Sequence, residues 1–125
     1  MSLRRDLEIN AQTLNQYSDQ FGQYMDQIDE ILRRLNIGLE VWTPFEGASP
    51  QLEIGYTKKG KKWGVAIRQA DQVWFVNDAP REYRLMVVDS IPALFIAMTK
   101  AARDTTNKIL EGVATVKGIL EGMGQ

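Results

Sequence analysis

The sequence predicts an α+β fold in which a long N-terminal helix, a small antiparallel sheet and a long C-terminal helix follow one another. Apolar residues recur at steps of three and four over residues 3–35 and again over 91–123, and at steps of two over 39–76. Steps of three and four are typical of helices that pack along other helices, and steps of two are typical of strands with one buried face. The 125 residues fit a single domain spanning 1–125.

The first helix is predicted over residues 2–36. Its heptad seam contains nine apolar or aromatic residues and one asparagine: Leu3, Leu7, Asn10, Leu14, Tyr17, Phe21, Tyr24, Ile28, Ile31 and Leu35. Asp26, Asp29 and Glu30 have a spacing that a metal ion could use, but a solvated outer face is the simpler interpretation. Gly38 follows the helix and is expected to cap it with left-handed backbone.

A four-stranded antiparallel β-meander is predicted over residues 39–76, with strands at 39–43, 52–58, 61–69 and 72–76. The central hairpin is expected to turn at Lys59-Gly60, because glycine tolerates positive φ. The register that follows places Gly55 opposite Gly64 and leaves a bare patch of backbone. A neighbouring tryptophan could cover that patch, or a ligand could approach it.

Two further helices are predicted at residues 79–88 and 91–122, with a kink or restart at Pro92. The first helix ends where the sheet begins, and the last helix is expected to start near where the sheet ends. If they pair, they must therefore run antiparallel, and the two heptad seams predict an antiparallel coiled-coil hairpin. The expected register places Tyr24 against Ala102 and Phe21 near Thr105.

The positions that flank both seams on one side carry almost no charge, which predicts that this side is also buried. A second copy of the chain would cover it and give a four-helix bundle from two chains. Alternatively, the sheet could fold back over the same stripe. The residues assigned to the dimer interface are Ala11, Ser18, Met25, Leu32, Thr99, Thr106, Val113 and Leu120.

Composition favours an interaction or structural protein over an enzyme. The chain has no cysteine and no histidine, which removes the commonest nucleophile, general base and metal ligands. No cofactor is expected, and no apolar run approaches the roughly 20 residues of a membrane span, so no membrane partner is expected. The leading hypothesis is a cytoplasmic homodimer with a helical stalk, whose small sheet head meets an unknown protein partner.

A nucleic-acid-binding module is the alternative hypothesis. Lysines crowd the expected hairpin tip, and tryptophan, tyrosine and phenylalanine residues lie nearby in the sequence, a combination that can hold phosphates and stack on bases. Lysines at a turn also keep a hairpin soluble, and the net charge of −1 gives no general attraction to nucleic acid. The candidate partner-binding residues are Lys58, Lys59, Lys61, Lys62 and Arg68.

Overall fold

A computed structural model of the chain describes residues 2–45 and 52–124. The predicted α+β architecture is confirmed: in chain order, one long helix precedes a four-stranded antiparallel sheet and another follows it. Residues 46–51 of the predicted meander lie outside the described part. Short 3₁₀ turns at Val76–Asp78 and Val88–Ser90 precede and follow the middle helix. The helices and strands are α1 (Leu3–Leu35), β1 (Val41–Pro44), β2 (Leu52–Lys59), β3 (Lys62–Gln69), β4 (Gln72–Phe75), α2 (Arg81–Val87) and α3 (Ile91–Met123).

The strands follow the order β1-β2-β3-β4, as expected of a meander. The turn of the central hairpin differs from the prediction, because Lys59 pairs with Lys62 and the two-residue loop is Gly60-Lys61. Gly60 has a φ of +66° at the first loop position, a conformation that glycine adopts readily. The register is therefore shifted by two residues, and an even shift leaves the same side chains on the core face.

The two glycines of the expected bare patch are each covered by an aromatic ring. Gly55 lies opposite Ala66 rather than Gly64. A Cβ added at Gly55 would lie 2.3 Å from Cε3 of Trp42, and one added at Gly64 would lie 3.0 Å from Cε1 of Phe75. The glycines are therefore explained by close packing of rings on the backbone.

One face of the sheet forms the core together with parts of all three helices. Its central tyrosine, Tyr56, stacks on the ring of Trp63 with centroids 5.4 Å apart. The buried residues include Met25 and Leu32 of α1, Leu52 and Ile54 of β2, Val65 and Ile67 of β3, Val87 of α2, and Leu94 and Met98 of α3. The sheet and the helix segments packed on it are called the head below.

The helix α1 is held to the edge of β3 that β4 leaves open. Because β4 pairs only with Ala66–Gln69, none of the described strands lies on that side of the first half of β3. The Oδ1 atom of Asp29 accepts a hydrogen bond of 2.9 Å from the backbone N–H of Val65. The Nε atom of Arg33 donates one of 2.7 Å to the carbonyl oxygen of Trp63. One carboxylate and one guanidinium, four residues apart on α1, therefore take the place of a neighbouring strand.

The assignment of Asp29 to a solvated outer face was wrong, because its side chain is buried at this edge. Burial raises the pKa of the Asp29 carboxyl above its usual value, while the Val65 N–H and the Arg33 charge act in the opposite direction. Asp26 instead accepts a hydrogen bond from Asn77 at 2.7 Å. Within the described ranges, no group of three acidic side chains is arranged to hold a metal ion.

The helix ends follow from local capping. The Ser2 hydroxyl accepts a hydrogen bond from the N–H of Arg5 at the start of α1. At the end of α1, Asn36 with a φ of 53° is the left-handed cap, two residues before the expected Gly38. A 3₁₀ turn separates α2 from α3, which restarts at Ile91 with Pro92 in its first turn, near the predicted kink.

The predicted antiparallel coiled-coil hairpin is not observed within the chain. The helix α1 contacts β3 and the 3₁₀ turn after β4, whereas α3 contacts β1 and β2. Tyr24, expected against Ala102, is 52% exposed. The predicted pairing required α3 to start near the end of the sheet despite the helix predicted at 79–88, whereas two 3₁₀ turns and α2 separate α3 from β4. The two long helices therefore dock at different places on the sheet.

Candidate interaction surface

An apolar groove lies between the last two turns of α1 and the first three turns of α3. Its volume is about 430 Å³. Among the described lining residues, the one polar side chain is Thr99, which donates its hydroxyl hydrogen to the carbonyl oxygen of Phe95 at 2.9 Å. The groove is lined by Ile28, Ile31, Leu32, Leu35, Ile37, Phe95, Met98, Thr99 and Ala102.

The groove walls come from the end of the predicted seam that lies nearest the sheet. Ile28 and Ile31 belong to the predicted seam of α1, and they line the groove together with Phe95 and Met98 of α3. They lie on its walls and leave open space between them, so a knobs-into-holes contact is not made there. The structure thus brings these predicted seam residues to one place with open space between them.

Residues 3–17 of α1, called the N-terminal arm below, form an exposed helix of about 22 Å at 1.5 Å per residue, and Asn15 near its end accepts a hydrogen bond of 2.8 Å from Arg81 of α2. Its large apolar side chains are all exposed, and Leu3 is 86% exposed. They are Leu3, Leu7, Ile9, Leu14 and Tyr17. Leu7 and Leu14 continue the line of the buried residues Met25 and Leu32 at helical spacing. The apolar stripe of α1 therefore extends further along the helix than the part that the sheet covers.

Residues 106–123 of α3, called the C-terminal arm below, form an exposed helix of about 27 Å. Its large apolar side chains range from 54% exposed at Val116 to 77% exposed at Met123. They are Ile109, Leu110, Val113, Val116, Ile119, Leu120 and Met123. All but Leu110 cluster on the side of the helix that continues the line of the buried Met98.

The residues assigned to a dimer interface divide into two groups. Ser18, Met25 and Leu32 are buried within the chain itself, where α1 meets the head. Their burial agrees with the alternative expectation, in which the sheet rather than a second chain covers the uncharged stripe. The other five assigned residues are exposed: Ala11, Thr99, Thr106, Val113 and Leu120. All five of these exposed residues lie in the groove or in one of the two arms.

The four lysines of the predicted partner site, called the basic tip below, surround the hairpin loop and are exposed: Lys58, Lys59, Lys61 and Lys62. Lys59 donates to the carbonyl oxygen of Val73 at 3.0 Å. The structure adds a cation that the sequence analysis missed, since the hydrogen bond from Arg33 to Trp63 brings the end of α1 beside the tip. The basic surface is therefore built from two elements distant in sequence.

Arg68, the fifth candidate, does not join the basic tip. Its guanidinium forms a salt bridge with Glu53 at 2.9 Å and lies 4.1 Å from the ring centroid of Trp42. This arrangement holds Arg68 on the face of the sheet opposite the core, with its charge compensated. The sheet aromatics are likewise occupied, since all are buried or half-buried: Trp42, Tyr56, Trp63, Trp74 and Phe75.

The helical run Arg81–Met123 is long and apolar enough to cross a membrane, judged by length and composition alone. Its most apolar stretch of 18 residues has a mean hydropathy of 1.6. It is not an unbroken apolar run, because single charged residues such as Lys100 interrupt it. Core helices can pass the same test, and Leu94 and Met98 of this run pack against the sheet. The expectation of no membrane partner stays a prediction.

Comparison with known proteins adds no family to these observations. No family model matches the chain, and no curated protein or solved structure is significantly similar to it. The groove, the two arms and the basic tip therefore carry the functional argument on their own.

Proposed function

We propose that the protein is a homodimeric interaction protein whose helical arms join two chains and whose sheet head offers the partner surface. The observation that carries this proposal is the C-terminal arm, which exposes seven large apolar side chains over 18 residues. Exposed apolar patches of this extent on a folded protein mark surfaces that are covered in the functional assembly. The proposed site of action is the cytoplasm.

The C-terminal arm needs a covering partner to persist as a helix. It contains Gly112, Gly118 and Gly122, and each glycine in a helix interior costs about 1 kcal/mol relative to alanine. An isolated helix of this length is marginal in water even with good helix formers. Packing of its apolar stripe must therefore supply the missing stability, and within residues 2–45 and 52–124 the stripe is left exposed.

The apolar burial available from the arms is of the order that a stable dimer needs. Burying the exposed part of each large apolar side chain contributes on the order of 1 kcal/mol. Seven such side chains from each of two chains contribute roughly 10–20 kcal/mol, against about 4–15 kcal/mol for the freedom lost on association. In this dimer, the coiled-coil contacts predicted from the heptads form between chains.

Light scattering at micromolar concentration tests the dimer. We expect about twice the chain mass of 14.2 kDa. Val113→Asp places a charge in the proposed interface and should weaken dimerisation about a hundredfold or more. Thr115→Asp is the matched control, because it adds the same charge two residues away on the opposite side of the arm. A monomer for the wild type, or equal effects of both variants, would refute the proposal.

Nucleic-acid binding by the basic tip is the second candidate, favoured by the addition of Arg33 beside the four lysines. Base stacking has less support, because the sheet aromatics are buried or half-buried. Retention on immobilised single-stranded DNA or RNA that falls steeply with salt would support this candidate. No retention at low salt would leave the head as a protein-binding surface.

A further inference from the structure

We infer that the apolar groove of one chain receives the C-terminal arm of a second copy. This inference rests on the proposed function, since it names the seat of the arm within the homodimer. A groove lined by eight apolar side chains and one hydroxyl suits the apolar face of a helix, a recurrent mode of recognition. The exchange is reciprocal in a closed dimer, so each chain gives one arm and fills one groove.

The chemistry of the groove argues against a small-molecule ligand. Sites for small molecules combine apolar walls with a few converging polar groups that fix the orientation of the ligand. The one polar side chain here, Thr99, has its hydroxyl hydrogen bonded to the carbonyl oxygen of Phe95. A helix satisfies its own backbone hydrogen bonds and presents only side chains, so it needs no polar partner from the groove.

The chain cannot fill its own groove with either arm. One wall of the groove, Phe95–Ala102, and the C-terminal arm belong to the same continuous helix α3. The other wall, Ile28–Leu35, and the N-terminal arm belong to the same continuous helix α1. A straight helix cannot fold back on its own turns, so an arm can reach a groove only in another molecule.

The C-terminal arm fits the groove better than the N-terminal arm does. Ile109, Val113, Val116 and Leu120 form an uninterrupted apolar row at steps of four, three and four, the spacing of anchors on a helix that lies in a groove. The N-terminal arm has Asn10 between Leu7 and Leu14 in its row. An apolar groove would leave the polar groups of that asparagine without partners, which is unfavourable.

Single-cysteine cross-linking tests the inference cleanly, because the natural chain has no cysteine. Thr99→Cys places a thiol in the groove, and Val116→Cys places one at the centre of the apolar row. Both side chains are exposed within one chain, so neither change should disturb folding. Mixing the two variants under oxidising conditions, or with a short bismaleimide, should give a covalent dimer. Thr99→Cys mixed with Thr115→Cys is the matched control and should cross-link far less.

The outcomes separate this inference from the proposed function. A dimer by light scattering with the Thr99–Val116 cross-link supports both. A dimer that cross-links only between two Val116→Cys chains would overturn the groove as the seat and leave the homodimer intact. A monomer would overturn both, including a monomer that retains an apolar small molecule in native mass spectrometry.

Discussion

Asp29 is the residue whose replacement tests most directly how α1 is held to the sheet. Asp29→Ala removes the acceptor for the N–H of Val65, a hydrogen bond of 2.9 Å. Only 9% of Asp29 is exposed, so water is poorly placed to substitute for the carboxylate. A buried donor without a partner costs about 1–3 kcal/mol, and we expect the free energy of unfolding to fall by that amount.

Asp29→Asn is the matched control, because it keeps an acceptor oxygen at the same position and removes the charge. Burial raises the pKa of the Asp29 carboxyl, so the charge itself is unfavourable in the folded state. We therefore expect the asparagine variant to stay within about 1 kcal/mol of the wild type. The two variants together separate the acceptor from the charge.

The pH dependence of the same pair follows from the raised pKa. The window lies between the usual pKa of 3.8 and the raised pKa of the Asp29 carboxyl in the folded state. At a pH within it, this carboxyl is more protonated in the folded state than in the unfolded state. The stability it contributes is therefore fully present below 3.8 and is lost as pH rises through the folded pKa. The free energy of unfolding of the wild type, relative to Asp29→Asn, should fall as pH rises across this window.

Urea unfolding at a fixed protein concentration measures these differences. Tryptophan fluorescence is a suitable signal, since all three tryptophans lie in the sheet: Trp42, Trp63 and Trp74. Equal losses for Asp29→Ala and Asp29→Asn would show that the acceptor is not what matters. No loss for Asp29→Ala would show that the edge of β3 is satisfied in another way.

Three further predictions concern packing and charge. Gly55→Ala should lower the thermal midpoint and reduce the free energy of unfolding by about 1–3 kcal/mol, because its Cβ would meet the ring of Trp42. Gly118→Ala has open space around its Cβ and should raise the free energy of unfolding by up to about 1 kcal/mol. Changes of the same sign in the two variants would contradict this account. Tyr24→Ala should cost less than about 1 kcal/mol in urea unfolding of the single chain, since the ring is largely exposed, and a loss of about 3 kcal/mol or more would restore the predicted contact with α3. Changing all four lysines of the basic tip to glutamine should leave the unfolding transition unchanged, and it should remove any salt-dependent retention on nucleic acid; retention that survives the change would exclude the tip as the binding site.

The order and type of the elements could be predicted because local patterns determine them. Heptad spacing gave both long helices nearly to their ends, and alternation gave four strands. The hairpin register was wrong by two residues for a simple reason. The sequence Lys58-Lys59-Gly60-Lys61-Lys62 reads the same in both directions, so side chains alone do not distinguish a loop at Lys59-Gly60 from one at Gly60-Lys61.

The docking of α1 could not be predicted from periodicity, because it depends on a backbone edge that only the folded sheet creates. A signal was nonetheless present, since Asp29 follows Met25 by four residues and precedes Leu32 by three, within the buried stripe. An acid in such a stripe indicates a buried hydrogen-bond partner. The missing partner was the N–H of Val65, 36 residues away in sequence.

The groove was only partly predictable for a related reason. Heptad spacing predicted that Ile28, Ile31, Phe95 and Met98 pack against other apolar residues, and all four line the groove. Spacing does not say whether those neighbours come from the same chain. That depends on how α2 and the 3₁₀ turns on either side of it place α3 relative to α1, which the heptad spacing does not specify.

The closure of the β3 edge limits the ways in which this protein can polymerise. A sheet grows indefinitely when an open edge recruits the backbone of another strand, which is the route to fibres. Asp29 and Arg33 occupy the backbone groups that a recruited strand would need at the first half of β3. At the opposite edge, β1 is four residues long and ends in Pro44, which has no N–H to offer. Strand addition is thus opposed at the first half of β3 and at β1, and the proposed dimer uses helical surfaces instead, where reciprocal contacts give assemblies of finite size.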